Sequence, residues 1–414
     1  MAFIAKATLF LLSVAVTGKN SLSFNQTSGI PGNSVNPHVD IHRDRFMNFT
    51  ELSGQHGLAT EEHTVTTEDG YVLTVFRMTR RDCVEFHKSP VLLMHGLFQS
   101  ADAWLDAGPD AGLAYLIAAQ CHELWVGNQR GNYYGRRHVR LDPDRDAKFW
   151  KFSTDEMGIY DIPAIVDYVL KNTRQEKLIY VGFSQAVGTS LIMCSERPGY
   201  CDKVSLIVAL APATRITNIK SVMLRTIFET VNRLQGVLLS TGVHELFARG
   251  ALVQGLLGQL CKFRSTSRTI CGTGLGLLDA FHPGSIDDDA LQLIATHTPA
   301  GTSTQTLVRY GQSLKTDKFQ KFDYGKAKNL EIYGTERPPV YNLDAATAPV
   351  ALFYGLNDNV DDIEDVFWLK NQLPNLVEAI QIADPLWNHF DMIYSRHVKK
   401  LVYPKVKQYL FNYS

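Results

Sequence analysis

Five short apolar runs, each ending at a glycine or a polar turn, constrain the fold of this 414-residue chain most strongly. They are PVLLMHG from Pro90, HELWVGN from His122, KLIYVGFS from Lys177, KVSLIVALAP from Lys203 and APVALFYGLND from Ala348. Continuous apolar runs of this length are typical of strands buried on both faces, as in a parallel sheet. Helical patterns lie between several of them, for example AGLAYLIAAQ from Ala111 and YDIPAIVDYVLKNT from Tyr160. The alternation predicts an α/β fold with a mostly parallel central sheet.

The alternation stops between residues 214 and 341. This stretch carries helical patterns from Val222 (VMLRTIFETVNRLQGVLLS) and from His244 (HELFARGALVQGLLGQL) instead of strand-like runs. We expect an all-helical insertion that caps the sheet, with residues 19–213 and 342–414 forming the core domain. The apolar residues of the insertion pack on the core or line an entry path for an apolar substrate, and both can hold.

The first 20 residues, MAFIAKATLFLLSVAVTGKN, place one lysine before an apolar run at residues 7–16. The run is too short to span a bilayer and predicts a secretory signal at residues 1–18, with an uncleaved anchor as the alternative. No later segment is apolar for long enough to span a membrane. The sequence therefore predicts a secreted protein, with the lysosome as the alternative location. Candidate glycosylation sequons, compatible with secretion, lie at Asn25, Asn48 and Asn412.

Six cysteines permit up to three disulfides in an oxidising compartment. They are Cys83, Cys121, Cys194, Cys201, Cys261 and Cys271. The last two close a short loop and are the favoured pair, and Cys194 and Cys201 close another. The remaining two form a bridge or stay as buried thiols, and the sequence does not decide between these.

The charges of the chain are balanced, with 41 basic against 42 acidic residues and a net charge of -1. Because binding to nucleic-acid phosphates needs a basic surface, nucleic acid is not expected as a partner. The sequence contains neither an H-E-x-x-H zinc motif nor a glycine-rich phosphate loop, so we expect no metal and no cofactor.

The stretch YVGFSQAVGTS, residues 180–190, places Ser184 between a predicted strand and a predicted helix. It nearly matches G-x-S-x-G, in which a strained turn projects the serine hydroxyl above the edge of a sheet. Gly182 supplies the small residue before the serine, whereas Ala186 stands where the second glycine belongs. The extra methyl group could cost about 1–3 kcal/mol in packing. It carries no catalytic group, so it threatens packing more than chemistry.

A serine hydroxyl is a weak nucleophile that needs a base, and the base needs a carboxylate to orient it. On such a sheet the order along the chain is Ser, then Asp or Glu, then His. Asp358 follows the predicted strand that ends at Tyr354, and His389 follows a predicted strand at residues 378–382. Both therefore fall at the carboxyl ends of strands, where such sheets hold their sites. The competing residues are Asp361, Asp362, Asp365 and His397.

The tetrahedral intermediate of acyl transfer also needs two backbone N–H donors for its oxyanion. One comes from the residue after the nucleophile, here Gln185, and the other from the loop after an early strand. LLMHGLFQS supplies that loop and makes the amide of Leu97 the second donor. Losing one such donor typically costs about 10²–10³ in rate.

Several longer blocks resemble the acid lipase family of α/β-hydrolases. They include EEHTVTTEDGYVLTVFR from Glu61, PVLLMHGLFQSADAW, WVGNQRGNYYGRRH, FWKFSTDEMGIYDIPA, HTPAGTSTQTLVRYGQ and NHFDMIY. The resemblance extends from about residue 39 onward. It implies the α/β-hydrolase fold with Ser184 as nucleophile, Asp358 as acid, His389 as base, and the amides of Leu97 and Gln185 as oxyanion donors.

The same resemblance implies a disulfide between Cys261 and Cys271 in the insertion. The sequence departs from the family at Phe183, where His is usual, and at Ala186, where Gly is usual. Both residues flank the nucleophile, so they put the turnover rate and the shape of the acyl pocket in question rather than the reaction.

We therefore predict a serine hydrolase that cleaves carboxylic esters of lipids, at a lipid–water interface where the substrate is emulsified. Triacylglycerol is the common substrate of the family that the chain resembles. A lipid-binding protein with little turnover, built on the same scaffold, is the main alternative. An esterase for small soluble esters is the second.

Overall fold

A computed structural model describes residues 47–414, except 84, 87–88, 250–256, 258, 262 and 264–266. The predicted signal segment and Asn25 lie outside the described residues. The described strands are β1 Leu58–Thr66, β2 Val72–Arg80, β3 Val91–Met94, β4 Leu124–Gly127, β5 Leu178–Phe183, β6 Val204–Leu210, β7 Glu245–Leu246, β8 Thr302–Ser303, β9 Val350–Tyr354 and β10 Leu376–Gln381.

Eight of these strands form one sheet in the order β1-β2-β4-β3-β5-β6-β9-β10. β1 pairs antiparallel with β2, and β2 pairs antiparallel with β4. The pairs from β4 to β10 are parallel. Each of the five apolar runs contains a strand of this parallel part, which confirms the predicted α/β fold.

Helices cover both faces of the sheet. The described α-helices are α1 Phe49–Gln55, α2 Leu113–Ala118, α3 Thr154–Glu156, α4 Ile162–Thr173, α5 Gln185–Glu196, α6 Val222–Ser240, α7 Thr273–Leu278, α8 Asp288–His297, α9 Thr304–Ser313, α10 Lys326–Tyr333, α11 Ile363–Gln372, α12 Asp391–Tyr394, α13 Val398–Leu401 and α14 Tyr403–Asn412. Two short π-helical segments lie at Met157–Asp161 and Ser267–Gly272.

Successive residues of a central strand enter different hydrophobic cores. In β3, Val91 and Leu93 pack with α1, α2 and α14 on one side of the sheet. Leu92 and Met94 pack with α4, α5 and α11 on the other side. Because side chains alternate across a strand, a strand covered on both faces must be apolar at every position, which explains the continuous runs.

The residues between β6 and β9, numbers 211–349, are called the insertion below. Its longest predicted helix is α6, which has the predicted bounds. The expectation of an all-helical insertion is wrong, because β7 and β8 pair antiparallel within it. β7 lies inside the pattern that was predicted as helical from His244, and Phe247, directly after it, has a left-handed φ of 58° that regular helix does not allow.

All six cysteines are paired. The disulfides are Cys83–Cys121, Cys194–Cys201 and Cys261–Cys271. The sequence alone does not decide whether the first pair forms a bridge or stays as buried thiols, and the structure has the bridge. Cys83 follows β2 and Cys121 follows α2, so this disulfide ties the antiparallel edge of the sheet to a helix on its face.

Candidate active site

Ser184 occupies the junction between β5 and α5. Its φ of 54° and ψ of -118° are a strained conformation for a residue with a side chain. The amide of Ser184 donates to the carbonyl of Leu210 in β6, 2.9 Å away, which holds the turn against the sheet. This is the geometry that the sequence stretch predicts.

The residues flanking the turn explain its packing. A Cβ on Gly182 would lie 2.8 Å from Cε1 of Tyr180 and 3.2 Å from the carbonyl carbon of Ala186, so no side chain fits there. The Ala186 methyl group is fully buried among the residues packed against α4 and α11. The hydroxyl of Tyr180 donates to the Ala186 carbonyl at 2.8 Å. The small residue is thus required at position 182, while alanine is accommodated at 186.

Ser184, His389 and Asp358 form a continuous chain of hydrogen bonds. Nε2 of His389 lies 2.9 Å from the Ser184 hydroxyl, and Nδ1 lies 2.8 Å from Oδ2 of Asp358. All three side chains are buried. Since the carboxylate accepts from Nδ1, that nitrogen carries the hydrogen and Nε2 presents its lone pair to the serine.

The carboxylate of Asp358 also changes the pKa of the His389 imidazole. Burial disfavours the charged form of His389, but the adjacent Asp358 outweighs burial and raises its pKa above the ordinary value of 6.5. Oδ1 of Asp358 accepts the amides of Val360 and Asp361 at 2.9 and 2.7 Å. Both oxygens of Asp358 are therefore engaged, which fixes the carboxylate in the plane that His389 needs.

Two of the three competing acids face other partners. Asp362 pairs with Lys220, and Asp365 pairs with Arg215 and accepts the amide of Asn218. Asp361 is buried, and neither of its carboxylate oxygens has a hydrogen-bond partner among the described residues. His397 directly precedes α13, and within the described chain no hydrogen bond joins it to Ser184.

The loop after β3 passes directly beside the nucleophile. A Cβ on Gly96 would lie 3.1 Å from Cβ of Ser184 and 2.9 Å from Oε1 of Gln99. Gln99 accepts the Gly96 amide at 2.8 Å and donates to the hydroxyl of Tyr394 at the same distance. Leu97 follows Gly96 and contributes to the lining of the cavity at Ser184.

His95 holds this loop by hydrogen bonds from both of its ring nitrogens. Its Nε2 accepts the amide of Gln129 at 3.1 Å, so Nδ1 carries the hydrogen and donates to the carbonyl of Gly96 at 2.9 Å. Burial lowers the pKa of His95 to about 4, which keeps the ring neutral and the arrangement intact. The sequence predicts no role for His95, although this residue directly precedes the glycine of the loop.

Gln185 lies at the first turn of α5, next to Ser184. Its side chain donates to Gln129 at 2.7 Å and accepts from the hydroxyl of Tyr310 at 3.1 Å. The N-terminus of a helix carries unpaired N–H groups and a partial positive charge, which favours an anion at this point. The amides of Leu97 and Gln185 as oxyanion donors stay a prediction.

An apolar cavity of about 250 Å³ opens at Ser184 and His389. The apolar lining from the insertion includes Leu224, Ile227 and Phe228 of α6, Leu275 and Leu278 of α7, and Leu291 and Ile294 of α8. Phe183 lines the same cavity, and its ring centroid lies 4.9 Å from that of His389. The ring of Phe183 thus packs against the imidazole of the base.

Asp279, at the end of α7, is a residue that the sequence analysis missed. Its Oδ2 accepts the amide of His389 at 2.7 Å, and its Oδ1 accepts the amide of Asn359 at 2.8 Å. Burial, together with the charge of Asp358, raises the pKa of Asp279. A lone aspartate in the apolar stretch GLGLLDAF is the only signal in the sequence, and it names no partner.

The described residues contain no group of three or more His, Cys, Asp or Glu side chains arranged to hold a metal ion. None of the helices in the described part of the chain is long and apolar enough to cross a membrane.

Known proteins are similar to this chain in sequence, and others are similar to it in fold. A family model described as a partial alpha/beta-hydrolase lipase region matches residues 49–108, and one for the alpha/beta hydrolase fold matches residues 89–251. Lipase 3 of Drosophila melanogaster is 35% identical over 359 residues, which covers 86% of this chain and 91% of that protein. Human gastric triacylglycerol lipase is 33% identical over 361 residues, covering 86% and 89%.

A solved structure from Sulfolobus solfataricus superposes with a TM-score of 0.57 over 86% of this chain and 95% of that one. At 13% identity this similarity concerns the fold alone. The two sequence relatives are far more similar and are covered over most of their length. With this identity and coverage, the chain belongs to the acid lipase family of α/β-hydrolases.

Proposed function

We propose that the protein hydrolyses carboxylic esters of lipids through an acyl-enzyme on Ser184. The observation that carries the proposal is the hydrogen-bonded chain from Asp358 through His389 to Ser184, which opens on an apolar cavity of about 250 Å³. A nucleophile with an oriented base supplies the chemistry of acyl transfer. The cavity supplies a place for the acyl chain.

The first half of the reaction forms the acyl-enzyme. Nε2 of His389 takes the proton of Ser184 while Oγ attacks the ester carbonyl, and the negative charge moves to the carbonyl oxygen beside the amides of Leu97 and Gln185. Asp358 stabilises the imidazolium that forms. The imidazolium then protonates the leaving alcohol as the tetrahedral intermediate collapses.

In the second half, water replaces the alcohol. His389 takes a proton from the water, the hydroxide adds to the acyl carbon, and collapse of the second tetrahedral intermediate returns the proton to Ser184 and releases the carboxylic acid. Every proton is transferred at His389, which is why the raised pKa of this residue determines the pH dependence.

Triacylglycerol is the proposed substrate, with residues 214–341 as the cap over the acyl pocket. Support comes from the apolar lining that α6, α7 and α8 contribute, and from the name of the human relative. Cholesteryl, retinyl or short-chain esters are the alternatives. Secretion is proposed on the N-terminal signal pattern and the paired cysteines, with the lysosome as the second location.

A fluorophosphonate probe tests the proposal directly, because it labels only an activated serine. We expect labelling of the wild type and of Ser190→Ala, and none of Ser184→Ala. Ser190 is a matched control, since it is a buried serine of α5, the helix that follows Ser184. Among the described residues, its hydroxyl bonds only the Val187 carbonyl. A folded wild type that stays unlabelled contradicts the proposal and favours a lipid-binding protein.

A panel of esters then separates a lipase from an esterase. We expect turnover of emulsified long-chain triacylglycerol, and the same preparation is assayed with soluble short-chain esters. Turnover of the soluble esters alone identifies an esterase for small substrates.

A further inference from the structure

Residues 278–281, at the end of α7, cross both loops that carry the acid and the base. The side chain of Asn388 donates to the carbonyl of Ala280 at 2.7 Å, and the side chain of Asn359 donates to the carbonyl of Asp279 at 2.9 Å. On the other side, the hydroxyl of Ser221 donates to the carbonyl of Leu278 at 2.7 Å. The main chain of the insertion is thus joined to the neighbours of both Asp358 and His389 at one place.

The Asp279 carboxylate joins the two loops to each other. One oxygen accepts the amide of His389 itself, and the other accepts the amide of Asn359, which directly follows Asp358. The residue is 4% exposed, so water competes little for either bond. A single group on the insertion therefore bridges the main chain at the base and the main chain at the acid, in addition to the direct bonds from Asn357 to the carbonyls of Leu386 and Trp387.

We propose that Asp279 is a positioning residue of the acyl-transfer reaction, holding the His389 and Asp358 loops in register so that the catalytic hydrogen bonds form without rearrangement. This inference rests on the proposed function of Ser184, Asp358 and His389. A displacement of about 1 Å at reacting groups can cost on the order of 100-fold in rate, so a bond made by the main chain of the base matters to turnover.

The role needs an acceptor at each of the two carboxyl oxygens, one for the amide of His389 and one for the amide of Asn359. Burial and the nearby Asp358 raise the pKa of Asp279 to about 8, while His389 and the amides of Asn359 and His389 act in the opposite direction. Asn at position 279 keeps the shape and one acceptor, and Ala removes both. The loss of kcat should therefore be smaller in Asp279→Asn than in Asp279→Ala.

The experiment compares Asp279→Asn, Asp279→Ala and Ser221→Ala as purified full-length enzymes. Fluorophosphonate titration counts the active molecules, and kcat, KM and the thermal midpoint are measured with a soluble ester. We expect kcat per active molecule to fall about 10-fold in the Asn variant and about 100-fold in the Ala variant, with KM unchanged. Ser221→Ala removes the bond to the Leu278 carbonyl and the cap of α6 but leaves both Asp279 bonds in place, so its thermal midpoint should fall while its kcat equals that of the wild type.

The pH profile gives a readout that a merely structural role would not move. The pKa of Asp279 is about 8, and its anion helps to raise the pKa of His389, so Asp279→Asn should change the kcat/KM profile near pH 8 and leave the profile well below that pH unchanged. The groups facing Asp279 are Asp358, His389 and Asn359, and all three remain in this variant.

An Asp279→Ala enzyme with wild-type kcat overturns the inference, as does an equal loss of kcat in Ser221→Ala. If neither Asp279 variant folds, hydrogen exchange of the wild type decides. The amides of His389 and Asn359 should exchange slowly, and fast exchange overturns the inference. Failure of the proposed function looks different, because the wild type itself then stays unlabelled by the probe.

Discussion

Oδ2 of Asp358 lies 2.8 Å from Nδ1 of His389, while Oδ1 of the same carboxylate is held by the amides of its own loop. The carboxylate is thus oriented by its own loop, independently of its bond to the imidazole. A group held in this way fixes both the tautomer and the direction of the base.

Replacing Asp358 by Asn should therefore lower kcat by about 10⁴ while leaving the fold intact, because the amide favours the wrong tautomer of His389. Turnover of a soluble ester measures the loss. Asp362→Asn is the matched control, since Asp362 pairs with Lys220 and its capping bond to the Glu364 amide suits Asn equally. A comparable loss in the control would show that the acid has been misassigned.

The pH dependence of kcat/KM should follow the neutral fraction of His389. Because Asp358 raises the pKa of the imidazole, the ring stays protonated to a higher pH, and the midpoint of the acidic limb should lie above 6.5. In Asp358→Asn the charge is gone, so the midpoint should move to lower pH. A midpoint that does not move in the variant argues that another group controls the limb.

Gly96→Ala tests the contact between the loop after β3 and the nucleophile. The added methyl group would lie 2.9 Å from Oε1 of Gln99 and 3.1 Å from Cβ of Ser184, so the loop must shift and carry Leu97 with it. We expect kcat to fall about 10²–10³-fold, as when an oxyanion donor is lost. In the control Gly236→Ala, on α6, the methyl group meets nothing within 4 Å, and activity should be unchanged.

Asp361→Asn should stabilise the fold at neutral pH. Burial and the nearby Asp358 raise the pKa of Asp361 well above 3.8, so the folded protein binds a proton that the unfolded chain has released. Stability then falls as pH rises from 3.8 to the raised pKa, by about 1.4 kcal/mol per pH unit. Asn removes this slope, so the gain measured by denaturant unfolding should be present at neutral pH and vanish below 3.8.

A gain that persists in acid would show that the effect of Asp361→Asn is packing rather than ionisation. Asp110→Asn provides the comparison, because the side chain of Asp110 is 96% exposed and its substitution should change stability by less than about 0.5 kcal/mol.

Ile227→Phe tests the assignment of the cavity to the acyl chain. Ile227 is buried on α6 and lines the cavity, so the larger ring shortens the space beyond Ser184. We expect kcat/KM for long-chain esters to fall roughly 10-fold while short-chain esters are retained. Leu234→Phe on the exposed face of the same helix should change neither, and an equal loss for both chain lengths would place the acyl chain elsewhere.

The sequence predicts the parallel part of the sheet well, because burial on both faces leaves continuous apolar runs. It does not single out β1 and β2 in the same way. β1 is exposed at Glu61 and Glu62, and β2 carries the half-buried Arg77, so neither reads as a continuous run. β7 and β8 are two residues long and meet across more than fifty residues of chain, which no local pattern indicates.

The proposed nucleophile, base and acid follow from their order and from the strand ends that precede them. Asp279 follows a short helix in the insertion, and its partners lie on loops 80 and 110 residues away. The hydrogen bonds of His95 and Gln99 to the backbone of Gly96 likewise depend on which backbone groups the fold brings within reach. Residues that react are recognisable by type and spacing, whereas residues that hold them are recognisable only by contact.

β6 and β9 are neighbours in the sheet, with Ile207 opposite Val350, although the whole insertion separates them along the chain. The pairing of residues 207–210 with residues 350–353 brings the two ends of the insertion together at the edge of the sheet that bears Ser184 and Asp358. A different segment between the same two strands would change the lining of the cavity, and it would keep the contacts at the acid and base loops only if it brought an acceptor to the amides of residues 359 and 389.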